Sequence, residues 1–173
     1  MQLTLFDRNP AMCEAWEKQF SGYENINVLR CELFDLPEHN CLATAGNSYG
    51  IMNGGIDLSV RDMFGIGLQD AIQWGIVQHY CGRMPVGVAL SVETGNPKFP
   101  GLIYLPTMER PKILTTGDVY HLFYTLMYSI HGEDTVACPG LGTGTGGVRP
   151  DDAARMMREA YDEYFGRTPF SEK

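Results

Sequence analysis

Residues 45–57, AGNSYGIMNGGID, decide the fold class that the sequence predicts. They follow a short apolar run, residues 41–45, which has the length and composition of a buried strand. Six of the thirteen residues are glycine or asparagine, which adopt the backbone angles of tight turns more readily than other residues. Such a loop brings backbone N–H groups close to a negatively charged ligand, because no Cβ atom stands in the way. We call residues 46–57 the first loop.

A second glycine-rich stretch, PGLGTGTGG at residues 139–147, follows the apolar run at residues 135–138. We call it the second loop. Two loops of this kind, each leaving a predicted strand, indicate one phosphate-bearing ligand held from two sides. The N-terminus of a helix, either the one that begins at Pro150 or the one near Asp57, would add positive partial charge.

Strand and helix patterns alternate over most of the chain. Strands are predicted at residues 2–6, 26–29, 41–45, 86–92, 102–105 and 135–138. Helices are predicted from the Asn9-Pro10 start signal, from about residue 58, over 69–81 and 119–130, and from Pro150. This alternation predicts a largely parallel α/β sheet covered by helices, with ligands at the carboxyl ends of the strands.

Composition limits the classes of partner. Thirteen basic and 21 acidic residues give a formal net charge of −8, and no basic run occurs, so we expect no strong binding to nucleic acid. The five cysteines show no CxxC pair and there is no signal-like N-terminus, which indicates a reducing compartment. With no apolar run of membrane-spanning length, we expect one cytoplasmic domain over residues 1–173 that does not bind membranes.

Both loops carry a family resemblance. AGNS at residues 45–48 and GGID at 54–57 resemble the A-A-N-S … G-G-V-D signature of macro domains, with the same ten-residue interval from Asn47 to Asp57. The second loop and IYLPTM at residues 103–108 are also similar to that family. The resemblance covers about residues 26–165 and implies a three-layer α/β/α fold with a mixed, largely parallel central sheet.

The resemblance also implies a ligand. Macro domains bind ADP-ribose, and some hydrolyse ADP-ribosyl linkages or ADP-ribose 1″-phosphate, so the implied partner is ADP-ribose or an ADP-ribosylated macromolecule. Asn47 and Asp57 are the implied catalytic residues, Asn47 by hydrogen bonding to the distal ribose. The implied ligand-binding residues are Glu32 and Leu33 for the adenine, Gly46, Asn53, Gly54, Gly55 and Ile56 in the first loop, and Gly142, Thr143, Gly144, Thr145, Gly146 and Gly147 in the second.

Asp57 suits hydrolysis at the distal ribose, because a nearby carboxylate stabilises an oxocarbenium-like carbon or activates water. This scheme needs neither a metal nor a cofactor, and the four histidines lack ligand spacing. Many hydrolytic family members have His four residues after the aspartate, where this chain has Arg61. That departure affects the expectation of catalysis more than the expectation of binding.

Other interpretations of the same residues stay open. Asp57 would also serve as a helix N-cap, Asn47 as a left-handed turn residue and Glu32 as a solvated side chain, with Asp35 as a second register for the adenine contact. A non-catalytic module that binds ADP-ribose or an NAD-derived nucleotide is the alternative function. A P-loop enzyme is poorly supported, because no Gly-Lys-Ser/Thr follows either loop.

Overall fold

Strands and helices alternate through most of residues 1–130 and 135–166, which the computed structural model describes. The strands are β1 (Gln2–Asp7), β2 (Ile26–Arg30), β3 (Cys41–Asn47), β4 (Leu90–Glu93), β5 (Gly101–Met108) and β6 (Thr135–Pro139). The α-helices are α1 (Pro10–Gln19), α2 (Gly55–Phe64), α3 (Ile66–Tyr80), α4 (Thr116–Ser129) and α5 (Pro150–Tyr164). A short 3-10 helix covers Leu33–Asp35.

The six strands form one sheet in the order β2-β1-β6-β3-β5-β4. The pairs between β2 and β5 in that order are parallel, and β4 pairs antiparallel with β5 at the edge. The mixed, largely parallel sheet that the sequence predicts is therefore confirmed. From β1 the chain crosses to β2 on one side, whereas from β3 it crosses to the edge strand β4 and returns to β5 on the other. Ligands bind at such a reversal of strand order.

Helices cover both faces of the sheet, and neighbouring residues of β1 show this directly. Leu5 packs in a cluster with Trp16 of α1 and Met157 of α5. Phe6 packs in a separate cluster with Ile72 of α3. Since successive side chains of a strand point to opposite faces, the two clusters are the two cores of a three-layer α/β/α fold. The layer arrangement implied by the resemblance is confirmed.

Helix starts follow the local signals in the sequence. Asn9 caps α1 by accepting a hydrogen bond from the N–H of Ala11, with Pro10 in the first turn. Thr115 and Asp118 form a capping box at the start of α4. Pro150 is the first residue of α5.

Two strand predictions need correction. The strand predicted at residues 86–92 is limited to β4, Leu90–Glu93, because the chain turns at Gly87 with φ of 79°. Pro106 does not end the strand predicted at 102–105, since β5 continues to Met108. Proline is tolerated there because pairing with β4 reaches only Tyr104, so no ladder partner on that side needs an N–H group.

The first loop is shorter than predicted at both ends. β3 continues past the predicted end through Gly46 to Asn47, and α2 begins at Gly55 rather than at about residue 58. α3 likewise begins at Ile66 rather than at residue 69. The extra strand residues pair with the extra residues of β5, and long-range pairing of this kind leaves no local sequence signal.

Candidate functional site

A cavity of about 1010 Å³ lies at the carboxyl ends of five neighbouring strands. Its lining follows the order of the strands across the sheet. The contributing segments are 31–33 after β2, 7–9 at the end of β1, residues 139, 140 and 142–146 after β6, most of the first loop after β3, and 107–111 at the end of β5. The two glycine-rich loops therefore occupy the middle of one crevice, which we call the crevice below.

The crevice brings together nearly all of the residues that the sequence predicts for the site. Those in its lining are Glu32, Leu33, Gly46, Asn47, Asn53, Gly54, Gly55, Ile56, Asp57, Gly142, Thr143, Gly144, Thr145 and Gly146. Gly147 is not in the lining. It has φ of 67° and donates its N–H to the carbonyl of Gly144, so it closes a turn at the end of the second loop.

Backbone N–H groups of the second loop are available to a ligand. Within residues 1–130 and 135–166, the N–H groups of residues 143–146 donate to no protein acceptor. The loop keeps its shape because Val148 and Leu114 donate to the carbonyls of Gly142 and Gly146, at 3.0 and 2.9 Å. Consecutive free N–H groups of this kind form an anion-binding concavity.

The N-terminus of α2 lines the same crevice as the second loop. Gly54 is the N-cap of this helix, and no side chain caps its first N–H groups. Those groups carry the positive end of the helix dipole. Since Gly54, Gly55 and Ile56 line the crevice, this helix end faces it, whereas Pro150 at the start of α5 lies outside the lining.

Asp57 is a buried residue in the first turn of α2. The N-cap interpretation of Asp57 is wrong, because Gly54 occupies that position. Only 4% of Asp57 is exposed, and Thr44 on β3 donates a hydrogen bond to its Oδ1 at 2.6 Å. Burial raises the pKa of Asp57 to about 7, against the opposing effect of the Thr44 hydrogen bond.

The second carboxyl oxygen of Asp57 is open to the crevice. Among the described residues, every side-chain nitrogen or oxygen atom that is shut off from solvent has a hydrogen-bond partner. The bond from Thr44 goes to Oδ1, and Oδ2 receives none from the described protein atoms. A buried carboxyl group with one open oxygen and a pKa near neutrality can exchange a proton with a ligand or with water.

Asn47 both lines the crevice and holds the first loop. Its Oδ1 accepts the N–H groups of Tyr49 and Ile51 at 3.1 and 3.3 Å, and its Nδ2 donates to the Ile51 carbonyl at 2.7 Å. Both lone pairs of Oδ1 are thus used within the loop, and one N–H of Nδ2 remains for a ligand. The left-handed-turn interpretation of Asn47 is wrong, because within the described residues Cys81 is the one non-glycine residue with a positive φ, and Asn47 ends β3. Its side chain holds the loop and leaves one N–H donor at the crevice.

Glu32 lies at the β2 end of the crevice. Its carboxylate is 3.7 Å from the guanidinium of Arg8, and both side chains are more than half exposed. Asp35, the alternative register, is in the 3-10 helix and is not in the lining. Arg61, which stands where many hydrolytic macro domains have His, is also outside the lining and lies 3.9 Å from Asp62.

Sequence reasoning missed the segments that β1 and β5 contribute. These segments are residues 7–9 and residues 107–111. Tyr49 of the first loop, which was also missed, donates its hydroxyl to Glu109 at 2.9 Å. Both segments follow predicted strands, so their position at the carboxyl edge was available as a signal. Their distance from the two loops could not be predicted from the sequence, because it depends on the order of the strands in the sheet.

Two kinds of feature are absent from residues 1–130 and 135–166. No helix there has the length and apolar character needed to cross a membrane. No group of three or more His, Cys, Asp or Glu side chains is placed to hold a metal ion.

Comparisons with known proteins match the geometry. A family model, the Macro domain, matches residues 43–157. An uncharacterized protein of Aquifex aeolicus (strain VF5) is 30% identical over 138 residues, which cover 78% of this chain and 79% of that protein.

Solved structures with the same fold have lower sequence identity. The macrodomain of Mycobacterium tuberculosis DarG has a TM-score of 0.66 at 21% identity, covering 77% of this chain and 87% of that chain. The macrodomain of Thermus aquaticus DarG has a TM-score of 0.65 at 20% identity, covering 76% and 87%. An Oceanobacillus iheyensis macrodomain with ADP has a TM-score of 0.62 at 15% identity, covering 75% and 70%.

Proposed function

The chain belongs to the macro domain family, and from this membership and the crevice we propose that it binds ADP-ribose or a close derivative. One observation carries the proposal. The free N–H groups of residues 143–146 and the uncapped N-terminus of α2 line the same crevice. A diphosphate between them receives hydrogen bonds from both sides, which offset the cost of removing its charges from water. The related fold from Oceanobacillus iheyensis was solved with ADP, which agrees with this arrangement.

The order of the strands supports a proposed arrangement for the other parts of the ligand. With the diphosphate over β6 and β3, the adenine lies toward β2, where the Glu32 carboxylate accepts a hydrogen bond from its amino group. The distal ribose lies over β3, next to Asn47 and Asp57. Adjacent strands are about 4.8 Å apart, so residues 107–111 at the end of β5 lie just beyond that ribose. They leave room for a group attached to it, such as an ADP-ribosylated macromolecule.

We further propose that the crevice hydrolyses a bond at the distal ribose, with Asp57 as the catalytic residue. Its open Oδ2 accepts a proton from a water molecule as the water oxygen bonds to the anomeric carbon and the leaving group departs. A pKa of about 7 places Asp57 where a general base works well at neutral pH. The competing proposal is a module that only binds ADP-ribose, and the Arg61 departure from the hydrolytic pattern favours it.

Calorimetric titration with ADP-ribose, with AMP and NAD as controls, tests binding. We expect ADP-ribose to bind more tightly than either control, and Asn47→Ala to weaken it, because Asn47 both lines the crevice and holds the first loop. A wild-type protein that binds no ADP-ribose would refute the proposed function.

Turnover of ADP-ribosylated substrates separates the hydrolase from the binding module. We expect Asp57→Asn to abolish turnover and to retain affinity for ADP-ribose, because it keeps the shape of the side chain and removes the base. Asp62→Asn is the matched control, since Asp62 is an exposed carboxylate of the same helix. Absence of turnover in the wild type, with ADP-ribose bound, would favour the binding module.

A further inference from the structure

Tyr104 on β5 lies directly beneath the start of the first loop. It is fully buried, in the core between the sheet and helices α2 and α3. In the sheet it is the register partner of Thr44, the residue that donates to Asp57. Burial and the nearby charge of Asp57 raise the pKa of the Tyr104 hydroxyl, so it stays protonated and able to donate.

The ring of Tyr104 fills the space where a side chain of residue 46 would lie. A Cβ atom on Gly46 would overlap the Cζ, Oη and Cε2 atoms of that ring. Gly46 is therefore glycine for a packing reason, and its backbone rests against the aromatic ring.

The hydroxyl of Tyr104 bonds to both backbone groups of Asn47. It accepts the Asn47 N–H at 2.9 Å and donates to the Asn47 carbonyl at 2.8 Å. This happens where the β3–β5 register shifts between Gly46 and Asn47, so the regular ladder does not satisfy both groups. Thr107 supports the same point by donating its hydroxyl to the Gly46 carbonyl at 3.2 Å.

We propose that Tyr104 is the positioning residue of the distal-ribose subsite, an inference that rests on the proposed function. Its hydroxyl fixes the backbone of Asn47, and the side chain of Asn47 in turn holds the loop at Tyr49 and Ile51. Asn47, with its free Nδ2 hydrogen, and Asp57, with its open oxygen, both line the crevice. Glu32 and the N–H groups of residues 143–146 follow β2 and β6, and the N-terminus of α2 begins beyond the segment that Asn47 holds, so none of these contacts bonds to this hydroxyl.

Titration of Tyr104→Phe with ADP-ribose and with ADP tests the inference, because ADP lacks the distal ribose. We expect the affinity for ADP-ribose to fall about tenfold, since loss of the hydroxyl removes the acceptor of the Asn47 N–H and leaves the Asn47 carbonyl with the longer bond from the Gly50 N–H, at 3.3 Å. The affinity for ADP should stay within about twofold of the wild type. A residue that merely stabilises the fold would change both affinities equally or neither.

Tyr161→Phe is the matched control. Tyr161 is also fully buried, and its hydroxyl accepts a hydrogen bond from Asn25, but it lies in the opposite layer on α5. We expect it to lower stability without changing either affinity. If Tyr104→Phe does not fold, Thr107→Val makes a smaller lesion at the same register shift and should show the same selective loss for ADP-ribose.

The outcomes separate the two proposals. If the wild type binds no ADP-ribose, the proposed function fails, and the inference with it. If the wild type prefers ADP-ribose to ADP and the variants keep that preference unchanged, the positioning role of Tyr104 is refuted while the proposed function stands.

Discussion

Replacing Asp57 with Asn should change how the stability of the protein depends on pH. Asp57 is buried, and its pKa rises from an ordinary 3.8 to about 7 in the folded protein. In the unfolded chain the carboxyl group ionises near its ordinary value. Between these two values the folded protein therefore holds a proton that the unfolded chain has released.

This difference determines whether the free energy of unfolding rises or falls with pH. A folded-state pKa that is raised gives stability that is fully present below the unfolded pKa and is lost as the pH rises through the folded pKa. A pKa that is higher by about 3 corresponds to about 4 kcal/mol in the free energy of unfolding. About half of this 4 kcal/mol should already be lost at about pH 5.5. The other half, about 2 kcal/mol, should be lost between about pH 5.5 and about pH 8.5.

Urea unfolding of the wild type and Asp57→Asn at these two pH values measures the loss. Asn keeps an acceptor for the Thr44 hydroxyl and does not ionise, so the wild type should lose about 2 kcal/mol relative to the variant. All other titrating groups are common to both proteins and cancel. Asp62→Asn, which changes an exposed carboxylate of the same helix, should track the wild type. Parallel stability profiles for the wild type and Asp57→Asn would refute a raised pKa at Asp57.

Two further predictions concern glycines whose neighbours leave no room for a side chain. Gly46→Ala should lower the free energy of unfolding by about 3 kcal/mol, because the new Cβ overlaps the Tyr104 ring. Gly146→Ala should cost about 2 kcal/mol, because its Cβ would lie 2.5 Å from the Gly142 carbonyl oxygen. Thermal unfolding measures both losses. Gly144→Ala is the control, since no heavy atom lies within 4 Å of its Cβ position, and it should change stability by less than about 0.5 kcal/mol. Equal effects at all three positions would contradict the packing argument.

Most of the fold could be predicted because its elements begin at local signals. Asn9 and Pro10 start α1, and Pro150 starts α5, as their residue types predict. The predictions that needed correction depend on contacts between distant segments. The backbone N–H of Gly87 donates to the carbonyl of Pro106, and this contact sets the path of the chain before β4. Neither residue carries a signal that would reveal the other.

The candidate site was likewise predicted where the signal is local and missed where it depends on contacts between distant segments. The two loops were predicted because glycine and asparagine at close spacing indicate an anion-binding backbone. The burial of Asp57 was not predicted, since it results from packing of α2 against β3 and from the hydroxyl of Thr44. The support that Tyr104 gives to Asn47 was also hidden, because it passes between two strands at a shift in register.

The charges of the crevice explain how an acidic chain can present an anion site. Its lining contains four carboxyl groups and two guanidinium groups: Asp7, Glu32, Asp57, Glu109, Arg8 and Arg110. Arg8 lies 3.7 Å from Glu32, and Arg83 lies 3.4 Å from Glu109, so two of the carboxylates have a cation beside them. Burial raises the pKa of Asp57 to about 7, so its charge near neutral pH is reduced. In the proposed complex a diphosphate would therefore meet less repulsion than the number of acids indicates, and the backbone N–H groups of the second loop and of α2 would supply the attraction.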